Sequence, residues 1–218
     1  MTEQVARTPR ARYRAQVRTE IKERAWEQIA TAGASALSLN AIAKQMGMSG
    51  PALYRYFDGR DALITELVRD AYRSLADTFR AASQAGADVT ALAHALRDWA
   101  LRDPQRYFLV YGTPVPGYRA PDDTTAISSE IMAILLDACA ALPSDGPATP
   151  FAEHVEGHRD WADGHPAPPA ALHRALAFWT RLHGVLSLEL AGHFTGMGFD
   201  PARLFAAELA TLTGTPAS

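Results

Sequence analysis

Residues 36–57 constrain this chain more tightly than any other stretch, because they read as two short helices joined by a glycine turn. Leu39, Ile42, Ala43 and Met46 recur at i, i+3, i+4 and i+7, which is one face of a helix. Ser38 stands where an N-cap belongs, and Gly47 follows the last apolar position, where a left-handed residue ends a helix. Ser49 is placed as the cap of the next helix. Pro51, in its first turn, lacks an N–H that would be unpaired there anyway. Ala43, Gly47 and Leu53 supply the small, turn and core residues that let two helices cross closely. In the second helix Leu53 and Phe57 point inward, while Pro51, Tyr54 and Arg55 share another face. So short a helix gains little stability from an exposed Tyr and Arg, and a face of that kind suits a DNA groove. The plain alternative is an αα-corner with Tyr54 and Tyr56 rimming a core.

Charge favours the first reading. The net charge of −3 hides an asymmetry: residues 1–60 carry ten Lys/Arg against five Asp/Glu, and the remainder carries eleven against nineteen. A basic end on an acidic body points to a polyanion at the first sixty residues. Arg7, Arg10, Arg12, Arg14 and Arg18 share the first eighteen residues with one acid, Glu3. They form either a solvated tail or a flexible arm, residues 1–14, that touches phosphates. Cys139 is the single cysteine, which excludes an intrachain disulfide and a cysteine-rich metal site. The first residues show no apolar signal segment, and the longest apolar stretch, 131–142, contains Asp137 and is too short for a membrane span. A cytoplasmic protein without a membrane partner is expected.

The whole chain is expected to be all-α. Val17, Ile21, Ala25 and Ile29 predict a helix of about 15 residues ending at Gly33, the packing partner that residues 38–57 need. Asp58 and Gly59 break the chain, and a helix over about 60–82 follows with Leu63, Leu67, Ala71, Leu75 and Phe79 at steps of four. Further helices are expected near 88–102, 104–112 and 123–141, with a loop over 113–122. Segment 143–169 holds six prolines and three glycines, so it reads as loop or as partly disordered. Helices over 169–195 and 200–213 finish the chain. In the first of these, Leu172, Leu176, Trp179, His183, Leu186 and Leu190 make one stripe and Phe178, Leu182 and Val185 another. A helix apolar on so many faces is buried on both sides, which points to its own domain on one and a second subunit on the other.

The stretch 17–64, with its amphipathic first helix, its Gly47-Met48-Ser49 turn and the run from Pro51 to Phe57, resembles the TetR family of transcriptional regulators. Phe178 to Gly184, containing Trp179, His183 and Gly184, looks like the subgroup with a Trp-His-Gly signature, as do Glu189, Gly192-His193-Phe194 and the Gly112–Pro121 loop. The resemblance implies a three-helix DNA-binding domain, residues 1–60 with the helix-turn-helix at 38–57. It sits on a regulatory and dimerisation domain, residues 61–218. It also implies a homodimer that binds a palindromic double-stranded DNA operator as a repressor, needs no cofactor, and is released by a small, apolar or aromatic effector.

Carried over by position, Tyr54 and Tyr56 are expected on phosphate or sugar, Pro51 on an apolar base edge such as a thymine methyl, and Arg55 on phosphate or guanine. Asn40 and Arg60 match positions that meet the backbone or a nearby base. Ser49 and Gly50 stand where many members have larger polar residues that reach bases, and Gly50 has no side chain to do so. Lys44 lies on the outer face of its helix, where it is either solvated or engaged. For the effector, the candidates are Trp99, Tyr107, Phe108, Tyr111, Phe178, Trp179 and His183, aromatic groups on helices expected to enclose a pocket; each also fits an ordinary core.

One cluster suggests different chemistry. His154, His158, Asp160, Asp163 and His165 resemble a metal-binding set, with the first two at i, i+4. They define the alternative of a metal-dependent enzyme using segment 154–165. Gly157, Gly164 and Pro166 interrupt that segment, and no Glu lies between the two histidines in the zinc-hydrolase pattern. No nucleophile elbow, P-loop or dinucleotide fingerprint is present.

Overall fold

A computed structural model describes residues 8–143 and 149–214. Arg7 and the rest of the arm's first seven residues lie outside it. The described residues form ten α-helices and no strand: α1 Pro9–Ala32, α2 Leu39–Gln45, α3 Gly50–Leu53, α4 Arg60–Gln84, α5 Val89–Arg102, α6 Pro104–Tyr111, α7 Asp123–Ala140, α8 Pro150–Glu156, α9 Pro169–Leu190 and α10 Pro201–Thr213.

Two helix starts depart from expectation, for one shared reason. Helix α1 begins at Pro9, so residues 9–14 of the expected arm are helical. Thr8 caps it, its Oγ1 accepting from Ala11 N at 3.2 Å. Helix α8 lies inside the segment expected to be loop, and Thr149 accepts from Ala152 N at 3.2 Å in the same way. In both, a Thr cap precedes a Pro whose fixed φ suits the first helical position. Residues 144–148 of that segment lie outside the description.

The chain divides into two compact units. The first comprises residues up to Val68 together with Thr113–Ala120, and the second comprises Arg69–Gly112 with the rest. The division falls within α4 rather than at its start. In the first unit Val17, Ile21, Ala25 and Ile29 of α1 pack as their spacing predicts, with Leu37, Leu39, Ile42, Ala43, Leu53, Phe57, Leu63, Ile64 and Leu67 completing the core. The 113–120 loop is held to this unit by Val115, which is buried, and by the Tyr118 and Thr65 hydroxyls, 3.2 Å apart.

In the second unit α9 is the central element, packed on α5, α6, α7, α8 and α10. This corrects the expected division of its faces. Leu172 and Leu186 of the first stripe and Phe178 and Leu182 of the second are fully buried within the same protomer, while Leu176, Trp179 and Leu190 are half-buried. The exposed residues of α9 are Thr180, Arg181, Gly184 and Leu188, the last 45% exposed. Arg174 of α9 donates to Cys139 O at 2.7 Å and Pro143 O at 3.0 Å, satisfying one carbonyl in the last turn of α7 and one just past its end. Arg97 of α5 pairs with Glu189 of α9 at 2.7 Å and lies over the Phe205 ring of α10.

Candidate functional site

The outward face of the first unit is built by a short helix, a turn and two arginines behind them. The Ser38 hydroxyl accepts from Ala41 N at 3.3 Å, and Ser38 N donates to Gln28 Oε1 of α1 at 3.0 Å, fixing where α2 starts. Gly47 takes φ +65°, where an L side chain is strained, and Met48 N closes the turn on Ala43 O at 2.8 Å. Ser49 occupies the N-cap position of α3 but its side chain makes no capping hydrogen bond. The expected second helix is shorter than its pattern: α3 ends at Leu53, and Tyr54, Arg55 and Tyr56 form a turn closed by Tyr56 N on Leu53 O at 2.8 Å. Leu53 and Phe57 are buried and anchor both ends of that turn, so Pro51, Tyr54 and Arg55 are exposed and Tyr56 is half-buried.

Two residues that the sequence reading left in a basic tail hold this turn. Arg14 donates to Arg55 O at 2.8 Å and lies over the Tyr56 ring. Arg18 donates to Tyr56 O, pairs with Glu66 at 3.2 Å, and stacks with its guanidinium 4.2 Å from the Phe57 ring centroid. Cations on the last carbonyls of a helical turn are favourable, and here they set its angle as well. Their signal in the sequence is only spacing: 14 and 18 are one turn apart on the face next to Val17 and Ile21.

Among the expected DNA-facing residues, Asn40 and Lys44 are exposed. Asn40 lies beside Gly50, whose Cβ would stand 3.4 Å from Asn40 Oδ1, so the amide occupies the space a side chain at 50 would share. Arg60, which opens α4, reaches back toward α1. It donates to Ala34 O at 3.0 Å and Ser35 O at 3.2 Å, which commits its guanidinium to the short 3-10 turn after α1.

The second unit contains a network of rings. Tyr111 of α6 lies 4.3 Å from His183 of α9 and 5.4 Å from Trp179, centroid to centroid; Trp179 and His183 are 4.4 Å apart. Tyr107 stacks on His183 at 5.6 Å and meets Trp99 at 6.5 Å and Phe108 at 5.7 Å. Trp99 Nε1 donates to Ser74 Oγ at 3.1 Å. Six of the seven expected effector residues are thus joined; Phe178 is fully buried and makes no ring contact with them. Tyr72, 6.1 Å from Tyr111, and Ser187, 2.8 Å from the Tyr107 hydroxyl, belong to the network without having been expected. Burial pushes the His183 imidazole down to about 4 and raises both phenols, Tyr111 strongly, with Tyr72 and Tyr107 adding to its shift. His183 Nε2 and Tyr111 Oη are buried without a hydrogen-bond partner.

The His/Asp segment does not assemble a metal site among the described residues, where no group of three or more His, Cys, Asp or Glu converges. His154 and His158 stack on each other at 4.3 Å, His158 Nδ1 contacts the His154 carbonyl at 2.8 Å, and His165 pairs with Asp137 of α7 at 3.1 Å. The pattern at i, i+4 made a ring stack.

Residues 21–67 match the family model described as bacterial regulatory proteins, tetR family, and residues 89–212 match that of the tetracyclin repressor-like C-terminal domain. The chain belongs to the TetR family. It is a transcriptional regulator of that family with a DNA-binding helix-turn-helix. It is 37% identical over 211 residues to the HTH-type transcriptional regulators Rv1816 of Mycobacterium tuberculosis and Mb1846 of Mycobacterium bovis, covering 89% of this chain and 90% of each relative. It is similar to the crystal structure of the protein SCO4313, with 73% identity, a TM-score of 0.88, and coverage of 95% of this chain and 100% of that one. A Rhodococcus protein of unknown function shares the fold, at 22% identity and a TM-score of 0.66. Among the described residues no helix is long and apolar enough to cross a membrane.

Proposed function

We propose that this TetR-family regulator is a homodimeric repressor that holds a palindromic operator and releases it when a small effector binds in the second unit. The observation that carries the DNA contact is the Tyr54–Tyr56 turn, exposed in front and clamped behind by Arg14 and Arg18. Pro51, Tyr54 and Arg55 face outward from it. Tyr54 and Tyr56 hydroxyls suit phosphate, Pro51 a thymine methyl, and the Arg55 guanidinium phosphate or guanine. Asn40, next to Gly50, is the polar group best placed to read a base at that end, with Ser49 beside it. Arg60 acts here by holding the 3-10 turn.

Dimerisation is assigned to the faces of α9 and α10 that the protomer leaves open. Thr180, Gly184 and Leu188 on α9, and Ala202 and Ala206 on α10, are exposed and mostly small, which lets helices approach closely. Two-fold symmetry of the protein then dictates half-sites related by the same axis.

The effector is assigned to the ring network around His183, a buried region with unmatched polar atoms. By linkage, an effector that lowers operator affinity must itself bind less tightly to operator-bound protein, with coupling of about 1–3 kcal/mol.

Selection of bound fragments from random duplexes tests the reading. It should return an inverted repeat whose affinity falls steeply with salt. A sequence-independent pool, or binding as a monomer to a single half-site, would refute it.

A further inference from the structure

The polar atoms around His183 specify more than an apolar interior. Tyr107 Oη lies 3.0 Å from the His183 carbonyl oxygen, 3.1 Å from His183 Nδ1 and 2.8 Å from Ser187 Oγ. A carbonyl only accepts, and two oxygens 3.0 Å apart with no proton between them repel, so the single Tyr107 proton goes to the carbonyl. The imidazole must then bring the proton to its own contact: Nδ1–H donates to the Tyr107 oxygen, which also accepts from the Ser187 hydroxyl. Only this assignment places a proton in each of the three contacts of the Tyr107 oxygen. A neutral imidazole protonated at Nδ1 carries a bare lone pair at Nε2. That atom is buried without a partner, as is Tyr111 Oη, and the two rings are 4.3 Å apart with the Trp179 indole against both.

We propose that this interior receives an uncharged aromatic alcohol, a phenol, whose O–H donates to His183 Nε2 while its oxygen accepts from the Tyr111 hydroxyl. The inference rests on the effector reading above and narrows it. A hydrocarbon, ether or ketone brings no donor and leaves Nε2 unmatched. A carboxylate sets oxygen lone pairs against the nitrogen lone pair. The groups in the ring network (Tyr72, Trp99, Tyr107, Phe108, Tyr111, Trp179 and the neutral His183) offer an anion no cation. The upward push on both phenols in this region shows the same disfavour toward negative charge. An aromatic amine donates, but its nitrogen accepts poorly from Tyr111. The flat apolar body matches rings that already meet edge to face.

The test uses the full-length protein and two matched probe sets, one bicyclic (1-naphthol, 1-methoxynaphthalene, naphthalene, 1-naphthoate) and one single-ring (4-propylphenol, 4-propylanisole). Calorimetry gives affinities, and 15N spectra of the histidine rings, assigned with His183→Gln, give the tautomer. The free protein should show His183 protonated at Nδ1. At least one phenol should bind about tenfold or more tightly than its methyl ether, the scale of one unmet buried acceptor. That preference should fall to about twofold or less in His183→Phe and shrink in Tyr111→Phe.

An Nε2–H tautomer in the unmutated protein overturns the proposal whatever the probes do. So does a set in which the ether, hydrocarbon or carboxylate binds as well as the phenol, or in which no phenol binds. Operator affinity measured with each probe separates the two readings. A non-phenol that binds at least as tightly as its matched phenol and releases the operator sinks this inference alone, whereas a phenol that binds with the expected discrimination and leaves operator affinity unchanged sinks the effector reading and keeps the site.

Discussion

Two leucines two residues apart on α9 should respond oppositely to the same substitution. Leu188 is 45% exposed in the protomer and Leu186 is fully buried among its own helices. Full burial of a leucine side chain contributes about 1.5–3 kcal/mol, so covering the open half of Leu188 in a dimer contributes roughly 1 kcal/mol per subunit, and two-fold symmetry doubles it. Leu188→Glu removes that gain and seats two carboxylates in a desolvated interface, at several kcal/mol each when unpaired. A total above about 5 kcal/mol weakens dimerisation by more than about a thousandfold. The protomer keeps its fold, because in a monomer the introduced carboxylate would face water. Leu186→Glu instead puts a charge into the core and should abolish cooperative folding. Sedimentation equilibrium over a dilution series, with circular dichroism on the same samples, reads both effects. The argument fails if the Leu188 variant dimerises as tightly as the parent, or if the Leu186 variant melts normally and only the dimer is lost.

Four further outcomes are expected. Tyr54→Phe and Arg55→Ala should weaken operator binding with the melting curve unchanged, and loss of an Arg55 phosphate contact should flatten the salt slope by about one unit. Arg18→Ala should lower operator affinity with the salt slope unchanged and cost about 1 kcal/mol in denaturant unfolding, because its guanidinium is engaged behind the turn by Tyr56 O, Glu66 and the Phe57 ring. His183, held neutral by burial, binds its proton at about 4 when folded and near 6.5 when unfolded, so the unfolded chain takes up more protons between those values. Stability attributable to it is therefore complete above about pH 6.5 and is lost as pH falls toward 4, on the order of 3 kcal/mol; His183→Gln should remove that part of the slope in paired urea titrations. Cys139 is fully buried with its thiol pushed up to about 12, so a thiol reagent should label it only as fast as the chain opens. Labelling of the native protein at the rate of a free thiol would contradict this.

Elements whose cause lies within one or two helical turns were legible in the residues. The periodic apolar faces of α1, α2 and α4, the Ser38 cap and the left-handed Gly47 all rest on partners no more than five residues away, and the structure has them where the spacing put them. Even the starts of α1 and α8 were written locally, as Thr8-Pro9 and Thr149-Pro150, although composition argued for a tail or flexible arm in the one place and a loop in the other. The chemistry of the outward turn was legible too, since Leu53 and Phe57 decide which way Tyr54 and Arg55 must point. Only the tertiary structure decided what is shared between distant segments. It covered most of both apolar stripes of α9 from within one protomer and left Leu188 open, because an all-round apolar helix reports how much surface must be covered and says nothing of whether the cover comes from the same chain. It turned Arg14 and Arg18 from a basic run into clamps on carbonyls near residue 55, tied Arg60 to the turn after α1, and made a ring stack of two histidines spaced like metal ligands. It also brought Tyr107, Tyr111, His183 and Ser187 together across more than seventy residues. A side chain's type and spacing set what it is able to bind, and the packing of remote helices sets which of those partners it meets.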